Sequence, residues 1–275
     1  MRNTAPRVVA VASIWGLVAC GSAYAQSTLD AVVQNKKLRC GVMMDNPPSG
    51  FRNANNEPDG LDVVYCKDMA KILGAEPQVV ETPSPDRIPA LVSNRIDILI
   101  ASTTPTPQRA MTVAFTQPYM NFTMGVVTRK DTGIKSYADL RDKKHGGVIG
   151  STQEQLIKAE LANGWAKSGA VYTGYASDTE SYLALQQGKV DAILLAMGVF
   201  SALSQSGQFP EFALVDAAPL SDTVSIAVRR DDQQFLNWAK MFVFQQVVSG
   251  RFAEVYRQYY GDGPVPPLSI KHVNF

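Results

Sequence analysis

Between residues 86 and 119, DRIPALVSNRIDILIASTTPTPQRAMTVAFTQPY, the spacing of the apolar positions changes twice. Residues 87–92 are spaced as a short helix, with Pro89 where only a first turn tolerates it. Residues 96–101, IDILIA, then form a nearly continuous apolar run, the pattern of a strand buried on both faces of a parallel sheet. The run gives way to Ser102, Thr103 and Thr104, followed by Thr106 as a helix N-cap and Pro107 at the first helical position. Arg109 falls in the first turn of that helix. Hydroxyls, free backbone N–H groups and a guanidinium thus meet at the carboxyl end of a strand, where open α/β sheets bind ligands. Arginine can hold a carboxylate there through two parallel charge-assisted bonds. The same residues equally describe a polar turn with Arg109 on the surface, and the pattern alone does not separate the two.

The α/β alternation continues along the chain. Leu38, Cys40 and Val42 share one face of a strand, and residues 43–51, MMDNPPSGF, follow as a loop because paired prolines and a glycine allow little else. Residues 55–59 read as a solvated turn. Val63, Cys66, Met69, Ala70 and Leu73 recur at helical spacing, and Gly74 stops that helix. Residues 124–129 form a further strand. The glycine-rich strand 146–149 leads into Gly150-Ser151-Thr152-Gln153-Glu154, where hydroxyls again sit at a helix N-terminus. Thr152 and Glu154 read there as caps, as ligand contacts, or as both. Residues 165–171 read as an edge strand or turn, 179–188 as a helix ending in glycine, and 212–217 and 225–229 as strands. Trp238, Met241, Phe242, Phe244, Val247, Phe252 and Tyr256 form a stripe expected to pack two C-terminal helices onto the core.

The first 25 residues are of another kind. Arg2 and Arg7 precede an apolar run over residues 8–19, and Ala23-Tyr24-Ala25 supplies a small-residue cleavage site before Gln26. That is a secretory signal peptide; the run is too short for a membrane span. Leu17-Val18-Ala19-Cys20 is a competing lipidation signal, but cleavage after Ala25 and a periplasmic protein are the expectation. The chain holds 26 Lys+Arg against 25 Asp+Glu; without the two leader arginines this becomes 24 against 25, a net charge of −1. No basic run points to nucleic acid, and the 250 residues that remain suffice for one large domain or two smaller ones. His145 and His272 are the only histidines and no metal-ligand spacing occurs, so neither metal nor cofactor is expected. Cys40 and Cys66 lie on core-facing sides of adjacent elements. In an exported protein they can bridge or pack as buried thiols, and the bridge is the expectation.

Arg87-Ile88-Pro89-Ala90-Leu91, Asp97, the hydroxyls at 102–104, Gln108-Arg109 and Phe115-Thr116-Gln117-Pro118-Tyr119 together resemble the signature of the family 3 extracellular solute-binding proteins, the polar amino-acid receptors of ABC importers. Gly60-Leu61-Asp62, Ser136 with Asp139-Leu140, the 150–154 loop, Val190-Asp191-Ala192 and residues 225–229 extend the match over nearly the whole mature chain. The resemblance implies an α/β, two-lobed periplasmic-binding-protein fold of type II, with two crossing strands near residues 120–124 and 221–224. Lobe 1 would hold residues 26–122 and 223–275, and lobe 2 residues 123–222. It also implies hinge closure around a ligand and docking of the closed form on an ABC permease in the inner membrane. A monomer is expected.

Carried over residue by residue, the resemblance assigns the ligand carboxylate to Arg109, assisted by Ser102 and Thr104 from lobe 1 and Ser151 and Thr152 from lobe 2. Ser84 and Arg87 match positions that touch the ligand side chain in the acidic amino-acid branch. Arg87 can instead be a surface residue paired with Asp86 or Asp97. Two departures stand out. Ala196 occupies the place of an aspartate that binds the α-ammonium, and Met43 the place of a polar contact. The ligand then lacks an ammonium, or another carboxylate such as Asp45 meets it; Asp45 reads equally as a turn residue near Pro47. A binding protein without enzymatic activity is the expectation. The alternative is a cyclohexadienyl dehydratase, an enzyme on the same fold; Glu154 is the one titratable group in the second-lobe loop to serve it, and His145 reads as structural.

Overall fold

The structure, a computed structural model, describes residues 27–268. The leader, its cleavage site, Cys20 and His272 lie outside the described residues. The first half comprises α1 (Thr28–Asn35), β1 (Lys37–Val42), a small hairpin of β2 (Phe51–Arg52) and β3 (Pro58–Asp59), α2 (Leu61–Leu73), β4 (Glu76–Glu81), α3 (Arg87–Val92), β5 (Ile98–Thr103) and α4 (Pro107–Ala110). After the long strand β6 (Val113–Arg129) come β7 (Lys144–Val148), α5 (Thr152–Ala162), β8 (Val171–Tyr175), α6 (Asp178–Gln186), β9 (Ala192–Ala196) and α7 (Met197–Ser206). A second long strand, β10 (Phe212–Arg229), returns the chain to α8 (Gln233–Val248) and α9 (Arg251–Tyr260).

Local signals set these boundaries. Ser27 caps α1 by accepting from the Asp30 amide. Gly74 ends α2 in the left-handed conformation at φ 60°, which costs glycine little. Thr106 caps α4 by accepting from Arg109 N, and Pro107 takes the first position. Residues 58 and 59 pair in the hairpin, and Asp59 accepts a hydrogen bond from Tyr259, so the segment expected to be a solvated turn is anchored at its end.

One eight-stranded sheet runs in the order β4-β1-β5-β10-β6-β9-β7-β8. β1 pairs parallel with β4 and β5, and β7 parallel with β8 and β9. Between these two parallel blocks β6 and β10, 17 and 18 residues long, pair antiparallel. β5 joins β10 at Ser225 and Ala227, whereas β9 joins β6 only from Met124 to Thr128. Around residues 120–123 and 221–224 the two long strands therefore have only each other as ladder partners. The five residues of β10 from Ala217 to Ser221 there oppose the three of β6 from Gly125 to Thr123. Such bulges bend a ladder, and Pro219, which has no N–H to donate, sits within this one. The chain is two α/β halves joined by a bent pair of crossing strands.

Each half has a packed centre. Cys40 and Cys66 are fully buried and disulfide-bonded, with Cα atoms 6.0 Å apart, which ties β1 to α2. Closing a 26-residue separation stabilises a fold by about 3.5 kcal/mol in the chain-entropy account. His145 is buried against Trp165 with Nε2 2.8 Å from the Leu140 carbonyl, and burial lowers its pKa. The C-terminal stripe needs correction. Phe235, Trp238 and Phe242 stack along the inner face of α8, but Met241, Phe244 and Val247 point outward with relative exposures of 62%, 54% and 47%. A helix lying on a sheet buries one face only, and α8 is apolar on more of its circumference than that face.

Candidate functional site

β5 ends at the cavity in a residue of unusual backbone. Ser102 has φ 45°, the left-handed region that side chains other than glycine enter at a cost. Three bonds hold it there. Its N–H donates to Tyr119 Oη at 3.2 Å, its carbonyl accepts from Arg87 Nη1 at 2.9 Å, and its Oγ accepts from Asn46 Nδ2 at 3.0 Å. Tyr119 Oη in turn donates to Asp62 Oδ1 at 2.9 Å. Burial holds the Asp62 carboxyl well above the usual carboxylate range, and its other oxygen has no partner among the described residues.

Arg87 is not a surface residue. It is 6% exposed, and its guanidinium donates to Ser84 O at 3.2 Å, Ser84 Oγ at 2.7 Å, and the carbonyls of Ala101 and Ser102 at 3.0 and 2.9 Å. Neither acid offered as its partner touches it: Asp97 is bound by Arg39 at 2.6 Å and Asp86 by Arg95 at 3.4 Å. Burial first, and the charge of Arg109 second, push Arg87 down to about 10. Arg109 reaches the cavity from α4. Its Nη1 donates to Thr104 O and its Nη2 to Gly150 O, each at 2.6 Å. The second bond crosses from one half of the molecule to the other. Burial lowers the pKa of Arg109, and the charge of Asp222 acts in the opposite sense.

The facing wall is built by α5, α6 and β10. Ser151 caps α5 by accepting from Glu154 N at 3.0 Å, while Glu154 Oε2 accepts from Gly150 N at 2.7 Å. Both side chains are thus engaged in shaping the loop. Thr152 Oγ1 instead donates to Asp222, lying 2.6 and 2.8 Å from the two carboxylate oxygens. Asp178, Ser181 and Tyr182 line the cavity from one face of α6 at i, i+3 and i+4 spacing. Tyr182 is 3% exposed and its hydroxyl has no partner among the described residues. Burial, then the neighbouring Asp45, raise the Asp178 carboxyl to about 8.

Seven of the eight residues nominated from sequence line this recess, which encloses about 70 Å³, several times the room one water needs. Asp45 is the exception. It stays off the wall because its Oδ2 accepts from Asp178 N at 2.8 Å, capping α6 across the two halves. Ala196 ends β9 with its methyl on the wall, and Met43 lies there too. Among the residues missed from sequence are Asp178, Tyr182, Asp222 and Asn46. Asp178 follows the N-cap Ser177, a usable local signal; the others carry none, because their relevance depends on which strand and helix faces meet.

The comparisons with known proteins agree with this architecture. The ABC transporter glutamine-binding protein GlnH of Bacillus subtilis is 27% identical over 262 residues, covering 90% of this chain and 93% of that protein. The solved structure of a mutant of ArgBP from T. maritima superposes with a TM-score of 0.77 at 26% identity, over 86% of this chain and all of that one. An ancestral amino-acid-binding protein described as a precursor of cyclohexadienyl dehydratase gives 0.75 at 28% identity, over 85% of this chain and 100% of that one. The profile of the bacterial extracellular solute-binding proteins, family 3, matches residues 38–262, and the chain belongs to that family.

Proposed function

We propose that the protein is the extracytoplasmic ligand-binding component of an ABC importer, taking an amino acid or related small carboxylate between its two lobes. One observation carries this reading. Arg87, Arg109 and Asp222 line a single recess, and none of them is in an ion pair among the described residues. Buried charge without a partner is costly, and a zwitterionic ligand supplies partners of both signs. Arg109 holds the carboxylate, and Ser102, Thr104 and Thr152 surround it. Arg87, with Ser84, forms the side-chain end.

The bent strand pair supports lobes of residues 26–122 with 223–275, and of residues 123–222. Closure about that bend, with the Arg109–Gly150 bond across the gap, yields the form that docks on a membrane permease. Export with cleavage after Ala25 and action as a monomer belong to the same reading. The test is a thermal-shift screen over the twenty amino acids and small carboxylates, with glutamine and arginine as the first arms because relatives are named for them. Ligand binding raises the melting temperature by mass action. Silence across the screen overturns the reading.

A second reading has one observation behind it. A carboxyl raised to about 8 on the cavity wall, Asp178, is a candidate general acid for a dehydratase reaction. Incubation with prephenate or arogenate, followed for phenylpyruvate or phenylalanine, decides it. The binding reading expects no turnover.

A further inference from the structure

The amino-acid reading needs a partner for the ligand's ammonium, and Ala196 offers only a methyl group. Asp45, Asp178 and Asp222 are the candidate carboxylates. We propose that Asp222, on the crossing strand β10, receives the ammonium, an inference that rests on the amino-acid reading above. Position argues first. Arg109 Nη2 ends on Gly150 O, and the Asp222 carboxylate ends on Thr152 Oγ1. These anchors are two residues apart on one loop, about 7 Å at full extension. An α-amino acid carries ammonium and carboxylate on the same carbon, so their receptors must lie side by side. Arg109 and Asp222 nevertheless form no ion pair with each other, which leaves a gap for a zwitterion to bridge.

Capacity argues second. A carboxylate has about four acceptor sites. Asp222 is 6% exposed, and the Thr152 hydroxyl is the one side-chain donor bonded to it among the described residues. Arg109 and Arg87 act on this carboxylate through space without bonding to it, so its remaining acceptor sites stay open to an arriving cation. Thr152 also fixes the carboxylate's orientation. The rival acids are placed otherwise. Asp45 is engaged at the α6 N-terminus. Asp178 and Asp222 both act on Arg87, but of the two only Asp222 acts on Arg109, the carboxylate's receptor in this reading. Asp178, Tyr182 and Arg87 are then left to face the ligand's side chain.

Titration calorimetry with L-glutamine, L-arginine, L-cysteine and L-glutamate, each beside the 2-hydroxy acid of the same skeleton, tests the assignment. The wild-type protein is expected to prefer an amino acid to its hydroxy acid. Asp222→Asn, which keeps the shape of the side chain, is expected to weaken that amino acid about a hundredfold or more while leaving the hydroxy acid unchanged or tighter. Asp178→Asn is expected to keep the preference. The preference is a ratio within one variant, so partial loss of fold cannot imitate its collapse; Asp222→Ser serves where the asparagine variant is unstable. A preference that survives at Asp222, or that collapses at Asp178 instead, overturns the proposal. If the wild-type protein binds none of the eight compounds and nothing in the wider screen, the amino-acid reading itself fails, and with it this inference. That outcome is seen before any variant is made.

Discussion

On the β5 wall of the cavity every polar group of Ser102 is engaged, by Tyr119, Arg87 and Asn46; on the α6 wall the Tyr182 hydroxyl has no partner among the described residues, and the Asp178 carboxyl is in no ion pair among them. The first wall is finished before a ligand arrives, and its donors are held by backbone carbonyls that cannot swing away. Such preorganisation reduces the ordering cost of binding. The second wall keeps hydrogen-bonding capacity in reserve. Binding strength therefore depends on the first wall's geometry, and discrimination among ligands on how the second wall's reserve is used.

The largest break in that comparison comes from removing the donor that spans both walls. Arg109→Ala is expected to abolish measurable binding, a loss of roughly 3–5 kcal/mol for a buried charge left without its partner. That is a factor of several hundred or more in affinity, which calorimetry reads directly. Affinity that survives would place the carboxylate elsewhere.

Acidity sharpens the comparison next. The Asp178 carboxyl, raised to about 8 in the folded protein, contributes stability that is complete below its ordinary value of about 4 and disappears as pH rises to about 8. Melting curves of the wild-type protein and of Asp178→Asn should diverge accordingly. The wild type loses stability relative to the variant between about pH 4 and 8, with a slope of at most one proton, about 1.4 kcal/mol per pH unit. Parallel curves would mean that the wall is more open to water than its packing indicates.

A smaller effect is expected from Tyr119→Phe, which leaves the Ser102 amide and Asp62 Oδ1 without their shared partner. About 1–3 kcal/mol of unfolding free energy should be lost in denaturant titrations, with weaker ligand binding because Ser102 relaxes. Thr152→Val is the mildest. It removes one hydroxyl from Asp222 and should weaken binding by about 1 kcal/mol, or somewhat more because the acceptor is charged. An effect equal to that of Arg109→Ala would show that the second wall is as rigid as the first.

Much of the first wall was legible in the sequence because its pieces are local. The run IDILIA, the cap Thr106, Pro107 and the first-turn Arg109 follow one another within fourteen residues and meet in space in that order. The strand face of Leu38, Cys40 and Val42 and the helix stopped by Gly74 were legible for the same reason. Arg87 was open to misreading because its acceptors at Ala101 and Ser102 lie 14 and 15 residues away and are carbonyls, which no residue type announces. Asp222 and Tyr182 matter only once β10 and α6 are known to face one cavity, a fact of topology rather than of spacing. The outward residues of α8 were misread because apolar side chains around most of a helix do not tell which of them face the sheet.

The strands that join the lobes also carry part of the floor, since Phe122, Asp222 and Val224 line the cavity from β6 and β10. Asp222 sits next to the axis of any bending, whereas the Arg109–Gly150 bond lies at the solvent-exposed mouth. In a lever, displacement grows with distance from the fulcrum. On the reading proposed above, a ligand is first gripped where the protein moves least and enclosed last where it moves most. Changes at the floor should appear in the rate of capture by the open form, and changes at the mouth in the rate of escape from the closed one.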